Sequence, residues 1–125
     1  MINSKVHFIT GGQRSGKSEF AEELALKLSN TPCYLATSKS WDDEHQKRID
    51  VHRERRTANW LTIEEELHIS KVDTTSEVIL LDCITLWLTN IMEANEYDPK
   101  ASLKFAKEEW DRFLKIKATL LVVSN

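Results

Sequence analysis

Five short apolar runs are spaced along the chain and separated by longer stretches of mixed polarity. Their apolar and β-branched residues, and in one run a regular alternation, predict β-strands. The strongest run is Val78–Leu81, whose uninterrupted large apolar residues are typical of a parallel strand buried on both faces. The predicted strands are Val6–Thr10, Cys33–Ala36, Asn59–Ile63, Val78–Asp82 and Thr119–Asn125.

The stretches between these runs place apolar residues at helical spacing. The residues from Thr85 to Met92 are apolar on more than one face, which predicts a helix that is well buried or at an interface. Asp98 and Pro99 suit the N-cap and first position of a further helix. The first helix, Glu19–Leu28, is predicted to place on one face Phe20, Ala21, Leu24, Ala25 and Leu28, and the last helix is predicted to align Leu103, Ala106, Trp110, Phe113, Leu114 and Lys117. Alternating strands and helices predict an α/β fold with a mostly parallel sheet flanked by helices.

All 3 glycines of the chain lie between the first predicted strand and the first predicted helix. The spacing Gly11-x4-Gly16-Lys17-Ser18 fits the P-loop pattern in full, in the strand–loop–helix setting that this pattern requires. In such a loop the backbone amides surround phosphate groups, the lysine reaches the β- and γ-phosphate oxygens, and the serine hydroxyl binds Mg²⁺. The competing interpretation is a glycine-rich turn that binds no ligand.

Two further segments follow predicted strands, at the edge where open parallel sheets bind ligands. Asp82 ends the strongest strand, as does the carboxylate that holds Mg²⁺ in P-loop proteins, although an aspartate there could also cap the next helix. Ala36, Thr37 and Ser38 end the second strand, and from spacing alone they could equally well just terminate it.

A strongly charged helix is predicted from Ser40, its N-cap, to Arg56. One face of this helix aligns Trp41, His45, Ile49, His52 and Arg56. The face is too polar for simple core packing, yet a histidine in a charged helix most often lies at the surface, and periodicity does not choose between His45 and His52. The acidic triplet Glu64–Glu66 is predicted to be a solvated helix start.

The composition favours a single domain that binds a small anion. A net charge of −3 argues against a general nucleic-acid binder, whereas residues 47–56 hold 5 Lys/Arg against 2 Asp/Glu and form a local positive patch. No apolar run is long enough to span a bilayer, so a cytoplasmic protein is expected. Cys33 and Cys83 have no metal-ligand spacing and are predicted to be small core residues.

At this point the residues resemble a known family, the bifunctional adenosylcobinamide kinase and adenosylcobinamide-phosphate guanylyltransferase of cobalamin biosynthesis. The resemblance covers almost the whole chain. Its most specific features are the Gly-Gly-x-Arg-Ser-Gly-Lys-Ser loop, the Ala-Thr-Ser segment and the Asp-Asp-Glu helix start. The segments that carry it are Thr10–Ser18, Tyr34–Ser38, Asp42–Glu44 with Arg48, Ile49 and His52, Arg56–Trp60 and Leu80–Thr85.

The resemblance implies one P-loop nucleotide-binding domain over residues 1–125 that serves two reactions. The family phosphorylates a hydroxyl on the aminopropanol arm of adenosylcobinamide with ATP or GTP. It then transfers GMP from GTP to adenosylcobinamide phosphate through a covalent histidine–GMP intermediate. The family's nucleophile falls on His52 rather than His45, with Arg53, Arg55 and Arg56 close by to offset charge on the phosphate oxygens.

The resemblance also implies the remaining site residues and partners. Lys17 and His52 would be catalytic, and Ser18 and Asp82 would hold Mg²⁺. A homo-oligomer, often a trimer, is implied, with a corrinoid substrate, no nucleic acid and no membrane span. The implied nucleotide contacts are Gly11, Gly12, Gln13, Arg14, Ser15, Gly16, Lys17, Ser18, Ala36, Thr37, Ser38, Arg53, Glu54, Arg55, Arg56, Glu64 and Asp82.

Members of the family continue past Asn125. The resemblance therefore implies a P-loop NTPase-like domain that is truncated at its C-terminus and holds about the N-terminal two-thirds of the family's full domain. Two other functions fit the same residues. One is a P-loop kinase or ATPase that acts on another small molecule, with the histidine helix as a lid. The other is a non-catalytic fragment that binds GTP and serves assembly. Formation of a GMP adduct on the protein would distinguish the guanylyltransferase function from both alternatives.

Overall fold

The computed structural model describes residues 5–12, 15–38 and 60–124. The predicted histidine helix, residues 40–56, lies outside them. The described strands and helices occur in the order that the sequence predicts. In chain order they are β1 (Lys5–Thr10), α1 (Lys17–Leu28), β2 (Cys33–Ala36), β3 (Leu61–Glu64), a 3₁₀ turn (Ile69–Lys71), β4 (Val78–Asp82), α2 (Ile84–Ala94), α3 (Pro99–Phe113) and β5 (Thr119–Ser124).

The described strands form one sheet in the order β1-β5-β4-β2-β3, and every neighbouring pair is parallel. The last strand in the sequence, β5, therefore lies between β1 and β4. Helices cover both faces, so the prediction of an α/β, P-loop-like fold with a parallel sheet is confirmed. Because all strands run the same way, their carboxyl ends meet at one edge of the sheet.

One face of the sheet is covered by α1. Two small residues, Ala21 and Ala25, are fully buried there and allow the helix to approach the strands closely. Alternate residues of the strands supply the opposing surface, because side chains of a strand point to the two faces in turn. They include Ile9, Tyr34, Leu80, Leu121 and Val123.

The other face packs against α2 and α3. Trp87 and Ile91 of α2 and Phe113 of α3 are buried against the complementary strand residues, which include Cys33, Leu35, Ile79, Leu81, Leu120 and Val122. The prediction that Asp98 caps α3 is confirmed, since its carboxylate accepts a hydrogen bond from the amide of Lys100 at 3.1 Å. The helix α2 was predicted to be well buried or at an interface; one face of it is buried, whereas Leu88 is 44% exposed.

In two helices the surface that packs is narrower than the face that helical spacing predicts. Phe20 and Leu28 of α1 are 57% and 44% exposed, because Phe20 lies about 100° around the helix from Ala21 and Leu28 is the last helical residue. In α3, Leu103 is 56% exposed, and the contact surface uses Ser102 and Glu109 instead.

The acidic triplet is not a helix start. Glu64 ends β3, and the Glu65 carboxylate accepts hydrogen bonds from the amides of Leu67 at 3.2 Å and His68 at 3.0 Å, which closes a turn. The buried Glu109 of α3 then accepts a 2.7 Å hydrogen bond from the amide of Ser70. Side chains of the chain itself therefore fix the segment that follows β3.

Among the helices of the described residues, none is both long enough and apolar enough to cross a membrane.

Candidate functional site

The predicted site residues that the structure describes lie along the carboxyl edge of the sheet. Ala36 at the end of β2 is opposite Glu64 of β3 on one side and Asp82 of β4 on the other. Thr10, after which the glycine loop begins, ends β1. One strand, β5, separates β1 from β4, so the strand ends at Thr10 and Asp82 are about 10 Å apart across the sheet.

The glycine loop has a backbone that two of its glycines make possible. Gly16, the N-cap of α1, has φ 80° and ψ 14°, a left-handed conformation that side chains other than glycine rarely adopt. At Gly11, an added Cβ would lie 2.6 Å from the Oγ of Ser15. The loop therefore returns closely on itself and enters α1 without a side-chain cap at its N-terminus.

Lys17 and Ser18 open α1 and are both half-buried. The Lys17 ammonium donates a 3.1 Å hydrogen bond to the carbonyl of Gly12, so this side chain folds back over the loop. A cation in this position, beside the first amides of a helix, suits a phosphate group. Gln13 and Arg14 lie outside the described residues.

Asp82 is half-buried at the end of β4, and its Oδ2 accepts a hydrogen bond from the hydroxyl of Tyr34. No pattern in the sequence indicates a role for Tyr34. Tyr34 is opposite Leu80 in the β2–β4 pairing, so Tyr34 and Asp82 lie diagonally on the same face of the sheet. This relation could be found only with the strand order and register in hand.

Thr37 is fully buried and joins the ends of β2 and β4. Its hydroxyl donates to the carbonyl of Cys83 at 2.8 Å and accepts from the amide of Cys83 at 3.0 Å, while its own amide donates to the carbonyl of Asp82 at 3.1 Å. The peptide bond between Asp82 and Cys83 is cis. Ala36 and Ser38, on either side of Thr37, are half-buried.

Asn90 of α2 is a second residue whose role helical spacing does not predict. Its side-chain amide, only 3% exposed, donates to the carbonyl of Thr37 at 2.7 Å and to that of Glu66 at 3.1 Å. Because both partners are carbonyls, the nitrogen must be the atom that faces them. Asn90 therefore joins the end of β2 to the segment after β3. The only indication of this role in the sequence is a polar residue inside an otherwise apolar helix.

Both cysteines are buried thiols, as predicted. Burial raises the pKa of the Cys33 thiol to about 11. Burial also raises the pKa of the Cys83 thiol, the charge of Asp82 raises it further, and the charge of Lys17 lowers it.

The remaining predicted residues divide into two groups. Glu64 is exposed at the end of β3, beside the Ala36–Ser38 segment. The histidines His45 and His52 and the residues Arg53–Arg56 lie outside the described residues. The structure thus brings the described part of the glycine loop, the end of β2, Glu64 and Asp82 to one edge of the sheet.

Oxygen donors suited to Mg²⁺ are present at this edge. A hydroxyl at Ser18 and a carboxylate at Asp82 are hard ligands, and Mg²⁺ in nucleotide sites needs only one or two such protein groups because phosphate oxygens and water complete its coordination. The hydrogen bond from Tyr34 also fits this use, since carboxylates that bind metals are usually held by a further partner.

A parallel sheet whose first strand leads through a glycine loop into a helix, with an acidic residue ending a nearby strand, defines an α/β protein of the P-loop class. The chain belongs to the CobU family, described as cobinamide kinase / cobinamide phosphate guanyltransferase, whose model matches residues 7–125.

Curated relatives agree with this family. The chain is 43% identical over 88 residues to the bifunctional adenosylcobalamin biosynthesis protein CobP of Pseudomonas aeruginosa, covering 67% of this chain and 51% of the relative. It is 38% identical over 109 residues to the bifunctional adenosylcobalamin biosynthesis protein CobU of Escherichia coli. It is 40% identical over 111 residues to the protein of the same name, CobU, of Salmonella typhimurium. Each of these two matches covers 82% of this chain and 55% of the relative. The chain thus spans about half the length of the curated relatives it matches.

Proposed function

We propose that this chain is a nucleotide-dependent transferase that phosphorylates a cobinamide and then transfers GMP from GTP to the cobinamide phosphate. The observation that carries the proposal is the glycine loop between β1 and α1, which lies on the same sheet edge as Asp82 and Glu64. The family supplies the substrate class. Residues 1–125 act in this proposal as one P-loop nucleotide-binding domain.

In the first reaction, the hydroxyl oxygen of the cobinamide side arm attacks the γ-phosphorus of ATP or GTP. The bond from that phosphorus to the β–γ bridging oxygen breaks, the nucleoside diphosphate leaves, and the hydroxyl proton passes to solvent. The amides after Gly11 and the Lys17 ammonium bind the phosphate oxygens and offset the charge that develops on them. Ser18 and Asp82 would hold Mg²⁺, which would supply positive charge to offset that on the same oxygens.

In the second reaction, a neutral ring nitrogen of His52 attacks the α-phosphorus of GTP and pyrophosphate leaves. An oxygen of the cobinamide phosphate then attacks the phosphorus of the histidine-bound GMP, which restores His52 and forms the pyrophosphate link. Arg53, Arg55 and Arg56 follow the nucleophile in sequence and would offset charge on the transferred group. This assignment rests on the resemblance.

The nucleotide is proposed to lie along the edge from the glycine loop to the Ala36–Ser38 segment, with Glu64 beyond it. Gly11, Gly12, Ser15 and Gly16 supply backbone contacts, and Gln13, Arg14 and Glu54 complete the proposed set. Thr37 is buried, so we assign it a supporting role through its bonds to Cys83 rather than a contact through its hydroxyl. By analogy with the family, the chain is proposed to act as a homo-oligomer, with three copies as the first form to test.

The test incubates the purified protein with Mg²⁺, GTP and cobinamide and analyses both protein and small molecules by mass spectrometry. Cobinamide phosphate, its GMP derivative and an acid-labile GMP adduct on the protein are expected. Lys27→Ala, an exposed change in the last turn of α1, is the matched control for Lys17→Ala, which should lose cobinamide phosphate. Nucleotide hydrolysis without adduct or phosphorylated cobinamide would instead indicate another kinase or ATPase, and binding without turnover would indicate a non-catalytic module.

A further inference from the structure

We propose that Tyr34 is a positioning residue for the metal-binding carboxylate: its hydroxyl holds Oδ2 of Asp82 and so fixes the orientation in which this carboxylate would bind Mg²⁺. The inference rests on the proposed function, because it takes Asp82 as the carboxylate of the nucleotide–Mg²⁺ site. Tyr34 itself does not contact the metal or the nucleotide in this proposal.

The first support is geometric. Tyr34 and Asp82 lie diagonally across the paired strands β2 and β4 on one face of the sheet, and the long phenol ring spans the gap. The hydroxyl reaches the last residue of β4, where the strand ends and the ligand-binding edge begins. A buried tyrosine needs a hydrogen-bond partner, and here the partner is the one acidic residue that ends the strongest strand.

The second support is the rigidity of the ring. Tyr34 is only 4% exposed and packs within the apolar cluster beneath α1. Its ring also meets the edge of Trp60, with ring centroids 5.9 Å apart and an angle of 78° between the planes. The backbone of β2, the cluster and Trp60 together fix the hydroxyl, so the hydrogen bond gives the Asp82 carboxylate one orientation before any metal arrives.

The third support is the hydrogen bonding of two opposite charges at this edge of the sheet. Lys17 opens α1 directly after the glycine loop, and Asp82 ends β4. In the structure each has another hydrogen-bond partner: the Lys17 ammonium bonds the Gly12 carbonyl and the carboxylate bonds Tyr34. A carboxylate held by Tyr34 is less free to turn toward the lysine, which leaves both groups available to the nucleotide and its metal.

The experiment compares nucleotide affinity with and without Mg²⁺. Calorimetry with a non-hydrolysable GTP analogue is carried out in a chelator and over a magnesium series, for wild type, Tyr34→Phe, Asp82→Asn and the double variant. Tyr34→Phe should leave the magnesium-free affinity unchanged and raise the Mg²⁺ concentration for half-maximal enhancement on the order of tenfold, the usual scale for a partner of a metal ligand. The double variant should behave as Asp82→Asn, because the hydroxyl acts through that carboxylate.

The outcomes separate the inference from the proposed function. A wild-type magnesium response in Tyr34→Phe, together with a weakened response in Asp82→Asn, would overturn the role of Tyr34 alone. A wild-type response in Asp82→Asn would remove the carboxylate from the metal site and the proposal with it. Equal loss of affinity with and without Mg²⁺ in Tyr34→Phe would indicate a purely structural hydroxyl. The exposed Tyr97→Phe is the matched control.

A second measurement needs no folded variant of Tyr34. The chain contains 2 tyrosines, so labelling tyrosine with carbon-13 at Cζ gives two signals, which Tyr97→Phe assigns. Adding Mg²⁺ to the protein already saturated with the analogue should shift the Tyr34 signal, because a carboxylate that binds a metal is a weaker hydrogen-bond acceptor. A Tyr34 signal that does not respond to Mg²⁺ would overturn the inference.

Discussion

Replacing Thr37 by valine tests how the edge of the sheet is held together. Valine has nearly the shape of threonine but lacks the hydroxyl, which donates to the Cys83 carbonyl at 2.8 Å and accepts from the Cys83 amide at 3.0 Å. The position is 0% exposed, so water cannot replace these bonds. The valine variant loses two buried hydrogen bonds and leaves the carbonyl and the amide of Cys83 without this partner. The free energy of unfolding should therefore fall by about 2–4 kcal/mol.

Thr37→Ser is the matched variant, because it keeps the hydroxyl and removes only the methyl group. Its expected cost is about 1 kcal/mol, from one buried methyl and the small cavity it leaves. Urea unfolding followed by tryptophan fluorescence measures both variants, and equal denaturant slopes would show that the comparison is sound. A valine variant as stable as wild type, or a serine variant less stable than the valine variant, would refute the interpretation that the hydroxyl of Thr37 holds the ends of β2 and β4 together.

Two further predictions concern other residues. His52→Ala should abolish the acid-labile GMP adduct and retain phosphorylation of cobinamide, whereas His45→Ala should retain the adduct. Intact-mass analysis measures the adduct, and the reverse pattern would overturn the assignment of His52 as the nucleophile. In mildly alkaline buffer the native protein should resist alkylation at Cys33, because burial raises the pKa of this thiol from 9.0 to about 11 and suppresses the reactive thiolate. Rapid alkylation of Cys33 before the protein unfolds would contradict this prediction. The same shift stabilises the fold below the ordinary thiol pKa of 9.0, and this contribution should disappear as the pH rises toward about 11.

Local patterns were enough to predict the elements that carry the glycine loop and Asp82. The strand–loop–helix order and the apolar run before Asp82 are properties of neighbouring residues, and both appear in the structure. The order of the strands was out of reach, because β5 enters between β1 and β4 through contacts distant in sequence. The hydrogen bond between Tyr34 and Asp82 depends on that order and register, so no periodicity could reveal it.

Burial within helices was predicted less well, for a physical reason. Helical spacing identifies a face but treats polar residues as exposed by default, so it missed Asn90 and Glu109, whose carbonyl and amide partners lie in other segments. It also grouped Phe20 and Leu103 with the buried residues of their helices, yet both are exposed, because the surface that packs is narrower than the apolar stripe. Polar burial requires knowledge of which backbone groups a neighbouring segment presents.

The central claim is that the loop from Gly11 to Ser18 binds the phosphates of a nucleoside triphosphate. Titration calorimetry of GTP and GDP against wild type, Lys17→Ala and the control Lys27→Ala tests it most directly. Loss of a charge-assisted contact of about 1.5–3 kcal/mol should weaken GTP binding by Lys17→Ala about ten- to hundredfold, with a smaller effect on GDP because the γ-phosphate is absent. The control should bind both nucleotides as wild type does. Unchanged GTP affinity in Lys17→Ala, or wild-type protein that binds neither nucleotide, would contradict the claim.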